Sequence, residues 1–108
     1  MNLHNGNMSI TFSEALKGVT EKDLNKTQLE DLRDAISTLL VHLQIECADL
    51  EKDEAMFLSE RPKEESIISR KVSWKATPAG QRLIVVKRYI SATKTMMTSL
   101  RDRLYNFY

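Results

Sequence analysis

One cysteine, three glycines and two prolines leave this chain few means of turning sharply or cross-linking itself. With Cys47 alone, no intrachain disulfide can form, and a reducing cytosol is the expected home. The glycines stand at 6, 18 and 80, too scattered for a Walker-type phosphate loop or a dinucleotide fingerprint. The two histidines, His4 and His42, lie far apart in the chain. His42 precedes Cys47 by a spacing that puts the two on different faces of a helix, so no Cys-His nucleophile pair is expected. Neighbouring carboxylates such as Asp53 and Glu54 read as solvated helix surface. No catalytic residues, metal ligands or cofactor are therefore expected, and the chain should not be an enzyme. The longest aliphatic run, Leu83-Ile84-Val85-Val86, falls far short of the roughly 20 residues of a membrane span. The opening MNLHNGNMSI has no basic segment leading into an apolar one, so no signal peptide is expected.

What remains is rich in helix formers, and helical periodicity organises it. Residues 1–26 read as an N-terminal arm: a lead-in over 1–12, then a short helix capped by Ser13 and ended by Gly18. Residues 27–108 read as a helical hairpin. Its first rod, 27–60, starts with a capping box of Thr27 and Glu30. Leu29, Leu32, Ile36, Leu40, Leu43, Cys47, Leu50 and Phe57 form its apolar seam, and Pro62 ends it. Its second rod, 78–108, starts with Thr77 as N-cap and Pro78 in the first helical position. There Ala79, Leu83, Val86, Ile90, Thr93, Met97, Leu100, Leu104 and Phe107 alternate in steps of four and three. Both rods come to about 45–50 Å at 1.5 Å per residue. The expected fold is an all-α, coiled-coil-like antiparallel hairpin. The joint, 61–77, fits either a strand or a short helix.

A second apolar stripe runs beside each seam. It comprises Val41, Ile45, Ala48 and Ala55 on the first rod, and Val85, Tyr89, Ala92 and Met96 on the second. A two-helix hairpin buries one stripe per helix, so either the N-terminal arm covers the second or further helices do. Assembly into a four-helix bundle, with a dimer favoured, is the expectation. Val41, Ile45, Ala48, Val85, Tyr89, Ala92 and Met96 form the expected interface.

Charge separates along the chain. Residues 27–60 hold nine acidic and two basic groups, whereas residues 61–108 hold eleven basic and three acidic. Basic residues flanking the second seam, Arg82, Lys87, Lys94, Arg101 and Arg103, face the acidic rod's Glu46, Glu51 and Asp53 and would set antiparallel pairing. The joint's cations have no acidic rod beside them. Arg70, Lys71, Trp74, Lys75, Arg82 and Arg88 are the candidate single-stranded nucleic-acid contacts, with Trp74, Tyr89, Tyr105 and Tyr108 available for stacking. The stretch SWKATPAGQR, 73–82, combines a tryptophan with the start of a helix, a place where free N–H groups attract anions. Trp74 fits equally as a lid on the bundle end.

The segments ISRKVSWKATPAGQRLIVVKRYI and SLRDRLYNF resemble, in organisation, the small helical recombination mediators of large tailed phages. That resemblance covers about 40 C-terminal residues. It implies self-association, a basic region holding single-stranded DNA, and a host-cytoplasmic setting. Small phage inhibitors of host defence share the compact helical-dimer form. Two functions follow as expectations. One is an adaptor or inhibitor that self-associates and binds a protein partner. The alternative is a single-stranded nucleic-acid-binding mediator of recombination or replication.

Overall fold

A computed structural model describes residues 10–107, and the following concerns those residues. Four helices follow in order: α1 (Phe12–Thr20), α2 (Lys26–Glu60), α3 (Ile67–Lys75) and α4 (Pro78–Tyr105). The fold is all-α, and its body is the hairpin of α2 and α4. The two rods run antiparallel: Glu46 of α2 meets Arg82 of α4, and further along Ser37 donates to the Met97 sulfur. The molecule is long and thin, 60 × 28 × 19 Å, with a radius of gyration of 18.1 Å. A compact domain of this length would have a radius of about 13 Å.

Burial decides where the helices begin. α1 is capped by Thr11, which exchanges hydrogen bonds with Glu14, and not by Ser13. α2 is capped by Asn25, in a box with Gln28, and not by Thr27. Both observed caps place apolar residues immediately before the cap and four residues after it, which pins the entry of the chain. For α1 these are Ile10 and Ala15, both buried; for α2 they are Leu24 and Leu29, both in or against the core. A Thr27 cap would have put Lys26 and Asp31 there, and a Ser13 cap would have put Lys17 in the second place. Gly18 does not end α1, which continues to Thr20. Its missing side chain instead admits Leu32, whose methyl carbons would lie 2.9 and 3.1 Å from a Cβ at that position.

The core runs between the rods through Leu29, Leu32, Ile36, Leu39, Leu43 and Cys47 of α2 and Leu83, Val86, Thr93, Met96, Leu100 and Leu104 of α4. Leu39, not Leu40, continues the seam after Ile36, and Ala35 is also fully buried, because α1 packs on that side of α2. Thr93 is buried without cost to its hydroxyl, which donates to the Tyr89 carbonyl at 2.6 Å. Met96 is buried where Met97 was expected, and Phe107 lies beyond the end of α4, half exposed.

α1 lies in the groove beside α2 and α4, running the same way as α4. Phe12 stacks on Tyr89 with ring centroids 4.1 Å apart, and at the other end Arg103 donates to the Val19 and Glu21 carbonyls. The expected joint contains the short helix α3, which closes the far end of the hairpin against both rods. The lead-in through residue 9, with His4, lies outside the described residues, as does Tyr108.

Candidate interaction surface

The corner between α3 and α4 is built for packing. Trp74 is 4% exposed and tilts against Phe57 of α2, ring centroids 5.6 Å apart. A tryptophan buried this deeply has no face to offer a base. Ala76 and Thr77 turn the chain, Thr77 donates its hydroxyl proton to the Trp74 carbonyl, and Pro78 begins α4. The same hydroxyl accepts from the Gly80 N–H, so this first-turn donor is already used and not open to an anion. Gly80 faces the Trp74 and Lys75 backbone so closely that any Cβ would overlap it. Its role is the close approach of two helices.

The joint's arginines are committed as well. Arg61 grips Glu65 through two hydrogen bonds, 2.9 and 3.0 Å, and lies over the Phe57 ring. Arg70 donates to three carbonyls of the turn, those of Glu65, Pro62 and Lys63. The Pro62 carbonyl also takes the Glu65 N–H, while the Lys63 and Glu65 carbonyls are acceptors that the turn would otherwise leave to water. Arg82 forms a two-pronged pair with Glu46, 2.7 and 2.9 Å, tying α4 to α2. That hydrogen bond holds the Glu46 carboxyl below the usual carboxylate range, and the bond from Arg61 does the same for Glu65.

Of the six candidate nucleic-acid contacts, then, Arg70, Trp74 and Arg82 hold the fold together. Lys71 and Lys75 point outward from α3, and Arg88 from α4. Lys87, Arg88 and Lys94 form no ion pair among the described residues, and Arg101 touches only its neighbour Asp102, at 3.6 Å. The cations that form no ion pair thus lie along α4, at 87, 88 and 94, and on α3, with Lys87 near enough to α2 to act on Cys47.

The expected self-association residues divide differently. On α4, Met96 is buried within the chain, Tyr89 is covered by Phe12, and Val85 and Ala92 are half-buried. On α2 none of the described residues covers the stripe. Val41 is 52% and Ile45 56% exposed, and Ala48, Ala55 and Met56 are exposed with them. At 100° per residue Val41 stands about 200° from both Leu39 and Leu43, so this is the back of the rod. The positions 41, 45, 48, 52 and 55 continue the heptad spacing of a coiled coil, broken only by Lys52. Sequence periodicity located this stripe. It could not say which half the arm would cover, because α1 shows no register from its own nine residues.

A second exposed apolar group escaped the sequence reading. Ile67, Ile68 and Val72 of α3 are 66%, 77% and 62% exposed. Their one signal was the choice of helix over strand for the joint, which puts them beside Lys71 and Lys75 on an outward face.

Cys47 is buried, and its thiol donates to Glu51 at 3.1 Å. Burial, with the Glu51 carboxylate adding to it, pushes the thiol up from its ordinary value, which keeps it protonated and a poor nucleophile. Among the described residues no three His, Cys, Asp or Glu side chains gather as a metal site would require. Nor is any helix there long and apolar enough to cross a membrane. A surface depression of about 570 Å3 lies between α1 and the first turns of α2, walled by Ile10, Leu24 and Leu32 together with Glu14, Lys17 and Asp31. Its side chains form no acid–base or nucleophile pair.

Compared with known proteins, the chain matches no family model, no curated protein and no solved structure.

Proposed function

We propose that this protein acts by binding, as a helical interaction protein that self-associates and presents its acidic rod to macromolecular partners. The observation that carries this is the back of α2, where two aliphatic side chains more than half exposed sit in heptad register on a rod whose other side is a packed core. Each such residue gains roughly 1.5–3 kcal/mol on full burial, so an open stripe of this kind favours a covering helix. Light scattering tests it. The expected mass is at least twice the 12.4 kDa of the chain, and Ile45→Glu should return it toward the single-chain value while the helical content stays the same.

One observation favours a second reading, a nucleic-acid-binding mediator. Lys87, Lys94 and Arg101 recur every seven residues on α4, so they align along one side of the helix, and Arg88 stands beside them. If phosphates bind, they bind along α4 and not at the Trp74 corner. A labelled single-stranded oligonucleotide would then lose affinity steeply with salt. Lys87→Ala and Lys94→Ala would each lower the salt slope by about one, and Lys71→Ala would not.

A further inference from the structure

The back of α2 and the outer face of α3 are opposite in charge and alike in apolar character. Along one edge of the α2 stripe run Asp49 and Asp53, four residues apart and exposed. Across the face of α3, among Ile67, Ile68 and Val72, run Lys71 and Lys75, also four residues apart and exposed. Among the described residues none of the four forms an ion pair. Each pair spans one helical turn, about 6 Å, so the two acids and the two lysines have matching spacing. The outer side of α4 lacks this match: Arg88, Ser91, Thr95 and Thr98 make it polar, and it cannot bury Val41 and Ile45 well. Nor does α2 suit a second α2, since like-charged edges would meet. Within one chain the two surfaces stay apart, because α3 is anchored by Trp74 at Phe57, near the C-terminal end of α2. They can meet only between copies.

We propose that the occupant of the α2 back is the outer face of α3 from a second copy of this chain. Ile67, Ile68 and Val72 would cover Val41, Ile45 and Ala48, with Lys71 and Lys75 facing Asp49 and Asp53. This deepens the self-association reading and rests on it. At about 13 Å, α3 fits within the roughly 21 Å of stripe between Val41 and Ala55.

Charge reversal with sedimentation equilibrium tests it. Lys71→Glu with Lys75→Glu should weaken self-association by about tenfold or more, since two attractions become repulsions. Asp49→Lys with Asp53→Lys should do the same. The chain carrying all four changes should recover to within about threefold of the parent, because the attraction is restored with its signs exchanged. Lys71→Gln with Lys75→Gln, which leaves no new acid at the C-terminal end of α3, should give an intermediate loss. All changes lie at exposed positions, and circular dichroism should report the parental helix content for each. If Ile45→Glu abolishes assembly while the lysine reversals leave it unchanged, or if the fourfold variant fails to recover, α3 is not the occupant. A parent chain that sediments as a single copy overturns this proposal and self-association together.

Discussion

Gly80 and Trp74 are two halves of one contact. The tryptophan closes the bundle end, and the glycine lets α4 start against the backbone that carries it. Gly80→Ala should therefore destabilise the protein despite the better helix propensity of alanine. Overpacking of this kind costs about 1–3 kcal/mol, and the thermal midpoint should fall by roughly 4–8 °C for each kcal/mol. Gly18→Ala is the control. The added methyl there meets only the side chain of Leu32, which has rotamers to yield with, so its loss should be smaller. Trp74→Ala should cost about 3–5 kcal/mol, the range for truncating a buried aromatic, and denaturant unfolding would show it. A Trp74→Ala protein as stable as the parent would contradict the packing role. Sequence alone left Trp74 between lid and base stacker, because SWKATPAGQR reads the same in either case. What decides is whether Phe57 lies beneath the ring, and that depends on where α2 ends relative to α3.

At the scale of elements, the hairpin itself was legible. The seams, Pro62 and the Thr77-Pro78 start all lie in local sequence. Of the flanking charges expected to pair the rods, only Arg82 meets its acid, Glu46, among the described residues, and Arg103 turns to the Val19 and Glu21 carbonyls. The helix starts were not legible, since Thr11 and Ser13, like Asn25 and Thr27, are all competent caps. The choice falls to Ile10 and Leu24, whose burial requires the tertiary fold. The Glu46–Arg82 pair has a pH signature. Its carboxyl titrates lower in the folded chain than in the unfolded one, as does that of Glu65. Their contribution is present above the unfolded value of about 4.3 and is lost as pH falls through the lower folded value. Stability should therefore decline below about pH 4.3, and Glu46→Gln should flatten part of that acid limb. At neutral pH the same change should cost only about 0.2–1 kcal/mol, because the pair is well exposed to solvent. A parent and a Glu46→Gln variant whose melting temperatures track each other through the acid range would show that the pair adds nothing.

For the whole molecule, the separation of an acidic rod from a basic one was plain in the sequence, and so was the presence of more apolar stripe than two helices can bury. Which part of that stripe stays open was not plain. It turns on α1, whose Phe12 covers Tyr89 and whose position leaves Val41 and Ile45 bare. The exposed face of α3 was hidden for another reason: Ile68 and Val72 have outward meaning only once Trp74 is known to point inward. Together these leave, among the described residues, a thin rod with a core along one side of α2 and an exposed apolar stripe along the other. Small-angle X-ray scattering measures the mass and the dimensions of such a particle at once. Self-association predicts a mass of at least twice 12.4 kDa, falling on dilution, with a radius of gyration that departs from the 18.1 Å of the single chain as copies join. A concentration-independent mass of 12.4 kDa, with a radius near 18.1 Å and full helical content, would contradict it.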